Sequence, residues 1–576
     1  MSEEKLGLFE GEDRPNVVVA WSFYRSGLTF NNQINLEETV KSNRNFAIGK
    51  QWEGVNANGL PQPVFNILKR VTGFIVASNT TDNLKVNVTP LANSPRTKEF
   101  VEPSRIVNEE CDALMEHNRI PSLVREFARN AAVDGDGCIY TYWDPDVDCG
   151  NGVMGAIKSE TVDNTRVFFG NPNDKSVQTQ PYIQIANREF VRTAKIRAKA
   201  NGSSEWQNIM PDEDESNAQD SVKRVDNKCT VILTLWRDDN DGTIWAYEST
   251  QSVEIRKPWS LGIRLYPICW LNWDIVSNCY HGQAMISGLI PNQIFINKAW
   301  AMSMLSIMRT AWPKVVFDKT RISKWDNRVG GAIGINGGDV NSVAKVIDPA
   351  SIDPQIAQFI SLAVQQTEES LGATASALGE GKAYNTSAIL SLQRAAATPT
   401  ELTKQNLYAA VEDLFRIYVE FMANYYGVRK VDMETPQEIQ QAQMFAGLPA
   451  EDEITAAFDF SMLKQYPMLL NIDVGGSSYY SEIAAMQTLD NMVMAGLITL
   501  PQYLERIPDA YFPKRRALIS ELKQQQMGMP ASQDMGMGSV PGVSDIGGPM
   551  NASLAQDPEI TGGRGYRAAA RAVNAQ

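Results

Sequence analysis

The spacing of apolar and polar positions changes period several times along the chain, and its most informative stretch covers residues 289–427. A largely apolar helix is predicted over 289–312, with Pro291 in its first turn and Pro313 just past its end. At about 1.5 Å per residue it would be roughly 35 Å long. Three short β-like runs follow, at 315–317, 332–335 and 343–347, punctuated by Asn327, Gly330, Gly331 and the turn Asn336-Gly337-Gly338-Asp339. The expectation is a compact β knob at the tip of a helix. The chain then returns through a helix from about Asp353, with Ile356, Phe359, Ile360, Ala363 and Val364 on one face. Residues 373–386 are small and polar and read as a loop. A long helix is predicted over 387–426, kinked at Pro399, whose ring and missing N–H break the hydrogen-bond ladder. Leu402, Leu407, Ala410, Val411, Leu414, Phe415, Tyr418 and Met422 mark its packing face.

Outside this stretch, a short helix is expected near 16–24, and 34–115 reads as mainly helical with an extended break near 84–89. A helix through 119–132 ends at Asp134-Gly135-Asp136-Gly137, and 138–143 alternates as a strand. A hairpin over 148–152 leads to further strands at 155–162, 230–236, 243–249 and 252–255. Residues 207–227 are acidic and poor in large apolar side chains, which predicts an exposed loop. Residues 428–476 form a smaller mixed unit and 478–526 read as helical, broken at Pro501, Pro508 and Pro513. Residues 527–576, rich in Gly, Met, Ser, Pro and Ala, have little to bury. The fold class is α+β.

With 43% hydrophobic and 21% charged residues the chain has a globular composition. A formal net charge of −14 argues against a protein that grips nucleic acid through a broad basic face. The six cysteines form no CxxC pair, and the charged N-terminus lacks the apolar core of a secretion signal, so reduced thiols inside a cell are expected. Asn292, Gln293, Asn297, Lys298 and Arg309 make the 289–312 helix too polar to span a membrane unaided. It reads as a helix packed against copies of itself.

Candidate chemistry is thin. Gly381-Lys382 suggests a phosphate loop, but Ser376 stands where the first glycine should be and Ala383 where the magnesium-binding hydroxyl should be. Asp134-Gly135-Asp136-Gly137 lacks the later oxygen ligands of a calcium loop and reads as a helix-to-strand turn. Asp144, Asp146 and Asp148 read as a solvated turn. The only histidines are His117 and His281, and Cys279-Tyr280-His281 is the sole local nucleophile candidate; with no orienting carboxylate evident, His281 reads as structural. Trp236, Trp245, Trp270 and Trp273 sit among alternating apolar residues and read as core. No metal or cofactor is expected.

The succession of helix, β knob, helix, loop and kinked long helix resembles the portal proteins of tailed bacteriophages. So do NNQINLEETVKSNRNFAIGKQW (31–52) with the following PVFN (63–66), AAVDGDGCIYTYWD (131–144), VFFGNP (167–172), NIDVGGSSYYS (471–481) and AGLITLPQYLERI (495–507). The resemblance implies an arm (1–30), a mixed wing (31–288), stem helices (289–312 and 349–372) around a clip (313–348), a tunnel loop (373–386), a kinked tunnel helix (387–427), a wing return (428–476), crown helices (477–526) and a tail (527–576). It implies a non-enzymatic homo-oligomeric ring of roughly twelve subunits, assembled in the host cytoplasm and built into the virion at one capsid vertex. Its implied partners are double-stranded DNA held without sequence specificity, the large terminase, capsid and scaffold proteins and head-tail adaptors. DNA would pass Gly379, Gly381, Lys382, Tyr384 and Asn385 of the loop, then Arg394 and Lys404 of the helix kinked at Pro399. Lys319, Arg321 and Lys324 would serve the clip interface. A terminase-like packaging enzyme is the alternative in another class, but it needs a phosphate loop and a nuclease carboxylate cluster; a different tail adaptor is a third.

Overall fold

The computed structural model describes residues 15–80, 84–90, 97–148, 154–212, 227–310, 314–324, 333–337, 339–347, 354–370, 401–434, 453–465 and 468–474, with Leu489, Met492–Met494 and Tyr503 beyond them. The chain divides into two compact units, residues 1–482 and 483–576, and the architecture below is that of the first. Helices α1 (Val17–Gln33), α2 (Leu36–Ile48), α3 (Ile67–Thr80), α4 (Thr97–His117) and α5 (Ile120–Asp134) come first, with β1 (Leu84–Pro90) between α3 and α4. Asn16 caps α1 by accepting from the Val19 N–H, which satisfies one of the donors left free at a helix start.

The turn expected after α5 is present. Gly135 has φ +102° and closes the helix, and Asp136 begins β2 (Asp136–Asp148). A side chain at Gly135 would meet the Gly282 carbonyl 2.7 Å away, so both backbone angle and space favour glycine there. β2 pairs with β3 (Met154–Val162) on one side and β9 (Ile268–Asn272) on the other, all antiparallel. Asp144–Asp148, expected as a turn, continues β2 through a register shift, and Asp144 is fixed there by Lys158 at 2.6 Å.

A second antiparallel sheet has the order β4 (Val167–Phe169), β5 (Tyr182–Phe190), β6 (Lys228–Arg237), β7 (Ile244–Ser249), β8 (Glu254–Ser260). Helix α6 (Val191–Ala200) packs on it over a separate small core of Ala194, Ala198, Cys229, Val231 and Ile255. Of the residues expected in an exposed acidic loop, Ile209 is buried in that same core, and 213–226 lie outside the described residues.

Helix α7 (Ile290–Thr310) leads to β10 (Lys314–Phe317), which pairs antiparallel with β11 (Ala344–Ile347) after the single turn α8 (Val340–Val343). Residues 333–335, expected as a strand, are irregular backbone; 332 lies outside the described residues. Helix α9 (Pro354–Ser370) follows. The next described helix is α10 (Glu401–Tyr425). Leu407, Ala410, Val411, Leu414, Phe415, Tyr418 and Met422 of α10 are buried as expected, whereas Leu402 is exposed one turn before the packed region begins. β12 (Val428–Glu434) pairs with β13 (Glu453–Asp459), and β14 (Met468–Val474) returns to pair with β1, joining segments far apart in the sequence in one ladder.

The main core runs from α4 and α5 through β2, β9 and the β4–β7 strands to α10. Cys111, Cys138, Cys229 and Cys269 are buried free thiols. Trp236 and Trp273 are buried, and Trp245 and Trp270 pack partly buried beside them as core residues.

Candidate functional site

The polar residues that disqualify α7 as a membrane helix have a specific task. Gln293 and Asn297, four apart and so on one face, are both buried, and Gln293 Nε2 donates to Asn297 Oδ1 at 3.0 Å. Gln293 also donates to the Phe65 carbonyl at 2.6 Å and accepts from the Ile67 N–H at 3.2 Å. Asn297 donates to Gln51 Oε1 at 2.6 Å. The Gln51-Trp52 and Asn66 positions form the rest of this cradle: Trp52 Nε1 donates to the Pro63 carbonyl and Asn66 Nδ2 to the Phe46 carbonyl. Buried amides satisfied on all sides fix one helix register, because any slip would strand a donor in the core. The root of α7 is therefore locked to the segment between α2 and α3. No described helix is long and apolar enough to cross a membrane.

Farther along, α7 presents Met302, Met304, Ile307 and Met308 to solvent, the last 63% exposed. On α9, Ile360 and Thr367 are buried, while Ile356, Phe359 and Leu362 are exposed, Phe359 by 59%. The two helices touch, with Phe295 and Phe359 edge to face at 5.8 Å. The apolar face predicted for α9 is thus only half used inside one chain. Such a contiguous row is the kind of surface a monomer rarely leaves open.

Of the clip residues inferred from sequence, Lys319, Arg321 and Lys324 are all exposed between β10 and β11. Asp318 organises this turn: its carboxylate accepts from Thr320 N and Oγ1, which holds it below the usual carboxylate range, and it lies 3.7 Å from Arg321. Ile322 is buried beneath. Lys404 is half-buried on α10, its ammonium 5.7 Å from the centre of the Tyr408 ring. Gly379, Gly381, Lys382, Tyr384, Asn385, Arg394 and Pro399 lie outside the described residues, as does the whole phosphate-loop-like segment.

Helix α10 is tied to the β2–β3 sheet by a hydroxyl chain, Thr141 to Ser159 at 2.8 Å and Ser159 to Tyr418 at 2.7 Å, in a setting where burial pushes the Tyr418 phenol far up. Glu420 receives the N–H groups of Arg264 and Leu265. Tyr418→Phe is expected to cost about 1–2 kcal/mol, the range for one buried hydrogen bond, measured as a lower urea midpoint with unchanged slope.

The most concentrated polar cluster lies where the α5–β2 turn meets the residues leading into α7. Asp136 and His281 are almost fully buried, and Asp136 Oδ2 lies 2.6 Å from His281 Nδ1. Its Oδ1 accepts from Gly282 N at 2.6 Å and Asn272 Nδ2 at 2.8 Å. The other ring nitrogen of His281 faces Asn31 of α1 at 3.3 Å. Next to it, Arg44 of α2 holds Asp134 through two nitrogens at 2.9 Å and reaches Asp163 at 2.8 Å. Burial alone would raise both carboxyls; Asp163 nonetheless stays below its ordinary value through Arg44 and Thr165, and Arg44 is raised in return. A carboxylate does orient His281, contrary to the sequence reading. It comes from the Asp134-Gly135-Asp136-Gly137 turn, 145 residues away. Asp136 and Asn31 engage both ring nitrogens of His281, so the ring is held from two sides and ties α1 to the α5–β2 turn. Among the described residues no group of carboxylate, histidine and cysteine side chains has the arrangement to hold a metal ion.

Residues 156–433 match the family model of the phage P22-like portal protein, which supports the resemblance drawn from the sequence. The matched span includes the whole β4–β8 sheet, β9, α7, β10–β11, α9 and α10, and of the three-stranded sheet it leaves out β2 and the first residues of β3. No curated protein matches the chain.

Proposed function

We propose that this chain, similar to phage P22-like portal proteins over residues 156–433, works as a portal: a homo-oligomeric ring at one capsid vertex through which double-stranded DNA is packaged and later leaves. The observation that carries this reading is the α7, β10–β11, α9, α10 succession inside the matched span, flanked by apolar side chains that a lone chain leaves in water. In a ring of roughly twelve copies each such row meets the next subunit, and head-to-tail contacts close the circle. In this arrangement α7 and α9 are the stem, residues 313–348 the clip, 373–386 the tunnel loop and α10 the described part of the tunnel helix. The ring supplies geometry while a terminase motor docked at the clip supplies the energy. Head-tail adaptors later take the same end, and capsid and scaffold proteins surround the wing. A wall that is mostly acidic, with few cations such as Lys404 and Lys382, keeps a duplex centred without holding it fast. Assembly takes place in the host cytoplasm, and the finished ring resides in the virion.

The test is the mass and the single-particle image of the purified full chain. A closed ring is expected; monomer alone across wide ranges of concentration and salt would overturn the reading. A further result is expected at the clip. The combined charge reversals Lys319→Glu, Arg321→Glu and Lys324→Glu, all on exposed side chains, should leave rings intact and weaken terminase binding at least tenfold, mainly through slower association. Equal binding by variant and wild type would remove these three residues from the interface.

A further inference from the structure

A cleft of about 620 Å³ opens between the two larger sheets, beside the last turns of α10. That is the size of a small-molecule site, roughly 300–1,000 Å³. Ile185, Val231 and Phe421 give it a buried apolar floor. Tyr140 and Tyr142, two apart on β2 and so on one side of the strand, stack with ring centres 5.7 Å apart. Trp143 stacks on Tyr425 of α10 at 5.2 Å. A further aromatic face in the cleft already carries a cation, since the Arg256 guanidinium lies 3.7 Å from the centre of the Trp259 ring.

Three carboxylates reach this space, Glu160, Glu189 and Glu248, against two guanidinium groups, Arg197 and Arg256. Arg197 serves two of the acids, Glu189 at 2.6 Å and Glu248 at 3.5 Å. Arg256 makes no ion pair among the described residues and rests on Trp259. Glu160 stands directly opposite Tyr140 across the β2–β3 ladder and has no ion-pair partner among the described residues. Lys158, the one cation of β3, is taken by Asp144 at 2.6 Å. Partial burial pushes the Glu160 carboxyl up with no cation to offset it, and burial keeps Glu189 raised in spite of Arg197. The Tyr140 phenol is pushed far up by burial, then by Glu248 and Glu160, and it makes no hydrogen bond among the described residues.

We infer that this cleft binds a small organic cation, an alkyl amine whose ammonium sits between Glu160 and the Tyr140 hydroxyl and whose stem lies along the aromatic walls. Ring faces carry the negative end of the aromatic quadrupole and attract a cation, most strongly where water is excluded. A carboxylate at the mouth of such a cleft disfavours an anion, and a purely apolar guest would cover it without supplying a partner. An amine satisfies both the rings and the acid. Its stem replaces water over the apolar floor. All of the lining residues belong to one chain, so the site is complete in a single subunit and independent of the ring proposed above.

The probe is 1,4-diaminobutane, titrated calorimetrically into the full-length chain. Saturable binding with a Kd of roughly 0.1–1 mM is expected for a ligand of this size. 1,4-Butanediol, with the same stem and no charge, should not bind. Glu160→Gln keeps the side-chain shape and disturbs no ion pair within the chain, so the fold should be retained, checked by far-ultraviolet dichroism, while affinity falls about tenfold. Glu38→Gln removes the same charge from an exposed position on α2 outside the cleft and should leave the affinity at the wild-type value. That control separates a site from the diffuse attraction of any amine to an acidic protein. Absence of saturable binding by wild type, or an affinity that Glu160→Gln leaves unchanged or that Glu38→Gln lowers equally, would overturn the assignment.

Discussion

Replacing Asp136 with alanine is expected to lower the unfolding free energy by about 3–5 kcal/mol, because three buried donors would lose their acceptor at about 1–3 kcal/mol each. The carboxylate is the common acceptor for His281, the Gly282 N–H and Asn272. Truncation would leave the buried His281 ring, a backbone N–H and a side-chain amide short of acceptors at once, and each unmade bond costs more than a made one contributes. Asn31 would lose an oriented partner as well, loosening α1 from the sheet. Asp136→Asn should cost less than alanine yet remain clearly destabilising, because one acceptor oxygen becomes a donor aimed at another donor. The measurement is urea unfolding of the full chain at neutral pH. An alanine variant within about 1 kcal/mol of wild type would mean that the cluster is not the anchor described.

The contrast between Asp136 and its surroundings shows where sequence reasoning ends. The turn at Gly135 was legible because a helix period gave way to alternation at an aspartate-glycine pair. The partner of Asp136 was not, because His281 joins it only once the strands between them in sequence have folded. The same holds for α7. Its amides Gln293 and Asn297 were visible as interruptions of an apolar run, but the residue that satisfies Asn297 is Gln51, 246 positions earlier. The extended run near 84–89 was legible; its pairing as β1 with β14 was not, since nothing local specifies a partner so distant. Helix α6 and strand β9 are among the elements that escaped notice, for local reasons. Helix α6 buries only Val191, Ala194 and Ala198, small side chains that leave little hydrophobic periodicity. Strand β9, Ile-Cys-Trp-Leu-Asn, is a short apolar run without alternation, as suits a strand packed from both faces. Strand β8 runs later than predicted, over Glu254–Ser260, and carries Pro258; the edge position of β8 permits it, since a proline cannot donate to a second neighbour. The order α7, β10–β11, α9, α10 was legible because it is a matter of succession and independent of any long-range contact, while the loop and the Pro399 kink expected between α9 and α10 lie outside the described residues.

The pair Ile307→Asp and Phe359→Asp is expected to abolish ring formation while sparing the fold of the subunit. Both side chains are more than half exposed in the single chain, so placing carboxylates there should change subunit stability by only about 0.5 kcal/mol. Phe359 touches Phe295 edge to face, and removing that ring pair adds about 0.5–1.5 kcal/mol at most. In an assembled ring the same positions would be buried against the neighbouring stem, where each carboxylate must be desolvated without a partner. That penalty is several kcal/mol per charge, and it recurs at every interface of the circle. The apolar burial forfeited at Ile307 and Phe359, about 1.5–3 kcal/mol for each fully buried side chain, acts in the same direction. The expected result is a monomer with a wild-type unfolding profile, seen as loss of the ring peak by mass photometry and retention of the far-ultraviolet dichroism spectrum. Rings that persist with both aspartates in place would show that the exposed row on α7 and α9 faces solvent or another partner, and that the subunits close through other surfaces.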